Sequence, residues 1–116
     1  MTAALAALRD SPVFAGVPEE TLERLAAAAS EVEIPAGLVM IEHNAPASGL
    51  FVIIEGRVAI HAPDESLERG PGEVVGELAL ARGGSRNARV SAITAVRALS
   101  IPREHVDQEL AQRLVR

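Results

Sequence analysis

The chain has 116 residues with 48% apolar and 23% charged side chains, a composition that predicts one compact domain and excludes a disordered segment. Its net charge of −5 at pH 7 argues against the broad basic face with which DNA-binding proteins neutralise phosphates, although it permits a single local anion site. Cysteine is absent, which excludes a disulfide framework, a thiolate metal site and a cysteine nucleophile. No stretch resembles a membrane span or a secretory leader, so we expect a cytoplasmic protein that binds neither membrane nor DNA directly.

Two short helices are predicted before the first strand. Thr2 can cap a helix that runs to about Arg9, and Ser11-Pro12 ends it. Pro18 then lies in the first turn of a second helix, where the missing N–H of proline costs nothing. An apolar stripe at helical spacing indicates that this second helix packs on the rest of the domain; it consists of Leu22, Leu25, Ala26 and Ala29.

From Glu31 the apolar period changes to two, which predicts a series of short strands. The strands are expected at residues 32–34, 39–41, 50–54, 58–62, 88–92 and 96–101. The glycine in Glu55-Gly56 predicts a hairpin between the runs on either side of it, and a second hairpin is expected at 63–66. An irregular segment follows Gly70-Pro71-Gly72.

The C-terminal end is predicted to be helical. Pro102 is expected to open this helix, in which Val106, Leu110 and Leu114 recur every four residues. Helices at both ends of a run of short strands predict a mainly β domain, a small β-barrel or β-roll with flanking helices.

The chemistry of the chain is concentrated in residues 75–89. Gly76 permits a close backbone approach, and the following Glu77-Leu78-Ala79-Leu80 is long enough for one helical turn, whose free N–H groups attract an anion. Arg86 lies nine residues after Glu77 and can pair with two ligand oxygens at once, whereas Glu77 can accept hydrogen bonds from hydroxyls. Together these groups suit a ligand that carries both a hydroxyl or diol and a phosphate.

Two motifs in this segment, Gly76-Glu77-Leu78-Ala79-Leu80 and Ser85-Arg86-Asn87-Ala88, resemble the phosphate-binding cassette of the cyclic-nucleotide-binding domain family. The usual pattern of that family is Phe-Gly-Glu-Leu-Ala-Leu, a short loop and then Pro-Arg-x-Ala. Further upstream, residues 8–25 resemble the N-terminal helices of the family, and the runs at 34–37, 44–53 and 55–58 resemble its strands and glycine turns.

The resemblance implies a double-stranded β-helix, that is, a jelly-roll-like β-roll, with N-terminal helices and a C-terminal helix. The single domain 1–116 would then comprise an N-terminal helical segment at 1–30, a β-roll at 31–101 with the cassette at 75–89, and a C-terminal helix at 102–116.

The resemblance also implies a role for each matching residue. Glu77 would accept a hydrogen bond from the ribose 2′-hydroxyl, and Arg86 would pair with the exocyclic oxygens of the cyclic phosphate. Backbone N–H groups near Leu78, Ala79 and Ala88 would complete the phosphate cradle. Apolar contacts with the sugar and base would come from Val58, Val75 and Val90. The implied function is that of a regulatory sensor in signal transduction, without a cofactor, whose ligand is cAMP or, as second choice, cGMP. Ligand binding is expected to move the C-terminal helix.

The sequence departs from the family pattern at several positions. Val75 stands where the family has Phe, Ser85 where it has Pro, and Ser48 where an acidic residue is common. Asn87 occupies a position that often differs between cAMP and cGMP binders, and its amide can bond the edge of either base. Arg89 adds a positive charge that can contact phosphate or face solvent on an alternating strand.

Other functions remain open at this stage. The fold can serve as a protein-interaction module without nucleotide, or it can bind a cyclic dinucleotide through Arg82 and Arg89. A protein partner or a homodimer would be contacted through the terminal helices. The family usually adds a lid helix, and the residues after Ile101 suffice for one helix, so the lid is short, supplied by a partner, or outside this sequence.

Two further kinds of site have little support. The three histidines, His43, His61 and His105, lack the spacing of metal ligands, so no metal is expected. Ser85 has no nearby His or Asp to activate it, so no enzymatic activity is expected. Glu77 and Arg86 can also be interpreted as a surface salt bridge that holds the loop.

Overall fold

The computed structural model describes residues 3–42, 48–82 and 88–115. Its N-terminal part contains helix α1 (Ala3–Asp10), a 3₁₀ turn (Pro12–Phe14) and helix α2 (Glu19–Ala28). The α2 stripe is oriented as predicted, because Leu22 and Leu25 are buried. The predicted cap Thr2 lies outside the described residues. No helix in the described part of the chain has both the length and the apolar character that crossing a membrane requires.

The strands form two four-stranded sheets in which every pairing is antiparallel. The first sheet has the order β1-β8-β3-β6, with β1 at Ser30–Ile34, β3 at Gly49–Glu55, β6 at Val74–Val75 and β8 at Val96–Pro102. The second has the order β2-β7-β4-β5, with β2 at Val39–Ile41, β4 at Val58–Ala62, β5 at Glu65–Arg69 and β7 at Arg89–Ala92. Flanked by helices at both ends, the sheets confirm the mainly β fold, a jelly-roll-like β-roll.

Two apolar clusters hold these layers together. One lies between the two sheets and includes Ile53, Val58 and Val90. The other lies between the helices and the first sheet and includes Leu25 and Leu50. Because the chain contains only two aromatic residues, aliphatic side chains supply nearly all of this buried surface.

The hairpin predicted at Glu55-Gly56 is wrong, although the one at 63–66 is confirmed as the β4–β5 hairpin, in which Ala62 pairs with Glu65. Strand β3 belongs to the first sheet and β4 to the second, so Gly56 is a corner between sheets. Its φ of +93° requires glycine, and a Cβ there would lie 2.2 Å from the Ala95 carbonyl oxygen. A glycine between two apolar runs is compatible with either a hairpin turn or a corner between sheets, and only the strand pairing distinguishes the two.

The start of the last helix was also wrongly predicted. Pro102 is the final residue of β8, and a 3₁₀ turn (Arg103–His105) separates it from helix α4 (Gln108–Leu114). The N-cap of α4 is Asp107, whose Oδ1 accepts a hydrogen bond from the Leu110 N–H at 2.7 Å. This side-chain acceptor satisfies one of the free N–H groups of the first turn, which proline could not do.

Candidate functional site

The cassette segment leaves the first sheet through a sharp turn and becomes a short helix. Gly76 follows β6 with a φ of +91°, a conformation that residues with a Cβ rarely adopt. Helix α3 (Glu77–Arg82) begins directly after it. Ala79 and Leu80 are buried in the cluster beneath the helices, whereas Glu77 and Leu78 are half-buried. The buried face of α3 therefore fixes the helix, and its first residues face an adjoining cavity.

This cavity has a volume of about 240 Å³ and is bounded by two walls. The cassette wall is formed by residues before, within and after α3: Val74, Val75, Gly76, Glu77, Leu78, Ala79, Ala88 and Val90. The hairpin wall is formed by one face of β4 and β5: Ile60, Ala62, Glu65, Leu67 and Arg69. Ile41 and Val115 complete the lining, so the cavity is mostly apolar with a few charged groups, as small-molecule sites commonly are.

The structure brings seven of the eleven site residues predicted from the sequence to this cavity: Val75, Gly76, Glu77, Leu78, Ala79, Ala88 and Val90. Arg86 and Asn87 lie outside the described residues, as does the side chain of Arg82. The grouping places the Glu77 carboxylate and the start of α3 at one continuous surface, the arrangement expected for contact with a sugar and a phosphate.

Val58 and Arg89 are placed elsewhere. Val58 has no exposed surface and packs between the sheets, so it does not line the cavity. Arg89 is exposed on β7, and its Nε lies 3.0 Å from Glu42 Oε1. Of the two alternatives for Arg89, phosphate contact or a position facing solvent, the structure therefore shows the second.

The sequence analysis missed the hairpin wall. Successive residues of a strand point to opposite faces, so Glu65, Leu67 and Arg69 share one face of β5. Their partners in the β4–β5 register are Ala62, Ile60 and Val58, the apolar side of β4. The sequence contained the signal: if the alternation of β4 is continued through the hairpin at 63–66, Glu65, Leu67 and Arg69 fall on the same face as the apolar residues of β4.

Helix α4 is connected to the cassette by a direct contact. Gln108 Nε2 donates to the Ala81 carbonyl oxygen near the end of α3 at 2.9 Å. At the other end of α4, Val115 lines the cavity. The C-terminal helix therefore touches both the back of the cassette and the cavity itself.

Among the described residues, no group of three or more His, Asp or Glu side chains is arranged to hold a metal ion. His43 lies outside them. His61 is exposed on β4 and His105 is half-buried in the turn before α4, so these two are on separate elements.

An antiparallel β-roll with flanking helices and a cavity beside a short interstrand helix defines a small ligand-binding domain. The family model for the cyclic nucleotide-binding domain matches residues 31–113. The chain therefore belongs to the cyclic nucleotide-binding domain family.

Relatives of this chain occur in several kinds of larger protein. A cyclic nucleotide-gated potassium channel from Rhizobium etli is 37% identical over 90 residues, covering 78% of this chain and 25% of the channel. A CRP-like cAMP-activated global transcriptional regulator from Mycobacterium tuberculosis is 33% identical over 107 residues, covering 87% and 48%. The regulatory subunit of a cAMP-independent protein kinase A from Trypanosoma brucei superposes with a TM-score of 0.85 at 26% identity, covering 96% and 41%. The chain thus spans between a quarter and a half of the length of each of these proteins.

Proposed function

We propose that the chain is a non-catalytic receptor for a cyclic nucleotide, with cAMP as the preferred ligand. The observation that carries the proposal is the position of Glu77 and the start of α3 on one wall of a mostly apolar cavity. Membership of the family and the name of the cAMP-activated mycobacterial relative support the choice of ligand.

In this proposal the cassette binds the ribose and the phosphate. Glu77 accepts a hydrogen bond from the 2′-hydroxyl, and the guanidinium of Arg86 pairs with the exocyclic phosphate oxygens. Backbone N–H groups near Leu78, Ala79 and Ala88 donate to the same phosphate. These are charge-assisted hydrogen bonds in a partly desolvated site, where they are stronger than in water.

The contacts of α4 supply a route from ligand to output. A ligand that binds the cassette changes the position or order of α3, and the Gln108 to Ala81 hydrogen bond transmits that change to α4. Ligand can shift α4 only to the extent that it binds one arrangement more tightly than the other. Val115 supplies a second and direct contact between ligand and the C-terminal helix, since it lines the cavity.

Isothermal titration calorimetry with cAMP, cGMP and a cyclic dinucleotide tests the proposal. We expect cAMP to bind, and Arg86→Ala to weaken it by about ten- to a thousand-fold because a charge-assisted phosphate pair is lost. Arg89→Ala is the matched control: it removes the same charge three residues away, outside the cavity lining, and should leave affinity within about two-fold of wild type. Unchanged cAMP binding in Arg86→Ala would show that the site is wrong.

One alternative has specific support. The Trypanosoma brucei neighbour is described as cAMP-independent, so a closely similar fold belongs to a protein that does not depend on cAMP. If the chain binds none of the three nucleotides, a role as a protein-interaction module replaces the receptor proposal. If only the cyclic dinucleotide binds tightly, the chain is instead a receptor for that larger anionic ligand.

A further inference from the structure

Three large aliphatic side chains are exposed at one corner of the second sheet. Leu38, Val39 and Ile93 are 52%, 41% and 45% exposed, and no other large apolar side chain in the described part of the chain is comparably exposed. The strand pairing brings them together, because the Leu38 carbonyl accepts from the Ala92 N–H at 2.9 Å and Val39 lies opposite Ser91. We call these three side chains the aliphatic corner.

The aliphatic corner lies along a sheet edge that lacks the usual protection. Folded proteins commonly place charged residues on edge strands, which prevents them from pairing with another chain. The edge strand β1 exposes Glu31 and Glu33, and the edge strand β5 exposes Glu65 and Glu68. Strand β2 (Val39–Ile41) is the other edge of the second sheet and carries no charged residue. Its start exposes aliphatic surface instead.

The charged groups beside the aliphatic corner are already neutralised. Arg89 Nε lies 3.0 Å from Glu42 Oε1, at the end of β2. On the other side, the Arg57 carbonyl accepts from the Ile93 N–H at 2.9 Å, and the guanidinium of Arg57 pairs with Glu68. With both arginines paired, this surface offers no excess charge to attract a charged partner. It fits another uncharged aliphatic surface.

We propose that two copies of this chain associate through their aliphatic corners about a twofold axis. A twofold contact uses the same patch on both copies, so an uncharged aliphatic patch is complementary to itself. The net charge of −5 on each copy opposes association only weakly, because physiological salt screens exposed charges beyond about 8 Å. The terminal helices take no part in this contact, since they pack on the first sheet.

The size of the corner indicates a weak dimer. A stable dimer buries about 800 Å² on each partner, which three partly exposed side chains and one short edge do not provide. The register shift between Val39 and Ile41 also limits backbone pairing along β2. We therefore expect association at roughly 0.1–1 mM. Such a contact matters where two copies are already held close together, because a high effective concentration then replaces affinity.

Sedimentation equilibrium of the 116-residue chain up to about 1 mM tests this contact. The average mass of the wild type should rise from that of a monomer toward that of a dimer. Val39→Lys should weaken association by about ten-fold or more, because each copy then places a charge against its counterpart. Val39→Thr, which keeps the branched shape suited to a strand, should weaken it by about two- to five-fold.

Ala27→Lys is the matched control. It adds the same charge at an exposed position of α2, on the side of the domain that carries the helices, and should leave association unchanged. Val39→Glu should resemble Val39→Lys when measured alone. An equal mixture of these two variants should restore association, because opposite charges then meet across the twofold axis. Circular dichroism melts establish that each variant is folded.

The measurement needs no nucleotide, so its outcome is independent of the receptor proposal. A wild type that stays monomeric up to 1 mM overturns the dimer. Association that persists unchanged in both Val39→Lys and Val39→Thr runs through another surface and overturns the role of the aliphatic corner. A mixture of the Lys and Glu variants that stays monomeric overturns the twofold arrangement.

Discussion

The corner at Gly56 provides a stringent test of the fold, because an alanine there should do far more damage than a positive φ alone explains. Gly56 and Gly37 have nearly the same φ, +93° and +87°. A Cβ on Gly37 would meet no atom within 4 Å, whereas a Cβ on Gly56 would lie 2.2 Å from the Ala95 carbonyl oxygen. Gly37→Ala therefore measures the backbone strain, and the difference between the two variants measures the close approach.

The magnitudes follow from these contacts. A left-handed conformation costs a residue with a Cβ about 1–2 kcal/mol, and both variants incur this cost. Relieving the Gly56 contact requires a shift of about 1 Å between two segments, a distance that breaks hydrogen bonds. Three hydrogen bonds join these segments: Arg57 N–H donates to Thr94 Oγ1 at 3.0 Å, and the Arg57 carbonyl accepts from Ile93 N–H at 2.9 Å and, more weakly, from Thr94 N–H at 3.4 Å. Losing the two short ones adds about 2 kcal/mol.

Urea unfolding followed by far-ultraviolet circular dichroism is the suitable assay, since the chain has neither Trp nor Tyr for fluorescence. We expect a loss of about 1–2 kcal/mol for Gly37→Ala and about 3–4 kcal/mol for Gly56→Ala. For a domain of this size each kcal/mol lowers the melting temperature by about 4 °C. Equal losses in the two variants would refute the close approach at the corner between β3 and β4.

Two further predictions concern α4. Gln108→Ala removes the hydrogen bond to the Ala81 carbonyl, so cAMP should slow amide hydrogen exchange in α4 less in this variant than in the wild type. Gln112 is an exposed position on the same helix, and Gln112→Ala should behave as the wild type. Equal protection by cAMP in the two variants would contradict transmission through Gln108. Asp107→Ala removes the N-cap acceptor and should lower the free energy of unfolding, measured in urea, by about 1 kcal/mol. Asp107→Asn keeps a side-chain oxygen that can cap the helix, so it should retain most of that stability. Identical losses in the two variants would contradict a capping role.

Much of the local structure could be predicted from the sequence. The α2 stripe, the alternating strands and the hairpin at 63–66 depend on periodicity and turn residues that act over a few positions. The short helix at Glu77 was predicted for the same reason, since Glu77-Leu78-Ala79-Leu80 is a run of helix-forming residues directly after a glycine. The family resemblance depended on the order and spacing of residues within one segment, which the sequence displays directly.

The errors occurred where the result depends on distant parts of the chain. Pro102 has the sequence context of a helix start, but its pairing with Gly49 keeps it in β8. The helix then begins only where Asp107 can cap it. Similarly, nothing near Gly56 indicates that β3 pairs with β8 instead of β4, because the pairing is decided by residues some forty positions later.

By itself, the sequence determined the mainly β composition of the domain and the positions of most strands, and it predicted the cassette with Glu77 and Arg86. Only the tertiary structure decided which side chains share the cavity. It placed Arg89 beside Glu42 on the outer surface and brought Glu65 and Arg69 to the wall opposite the cassette. The physical reason is that an alternating strand fixes which residues share a face, but the packing of one sheet on another decides which face encloses the ligand.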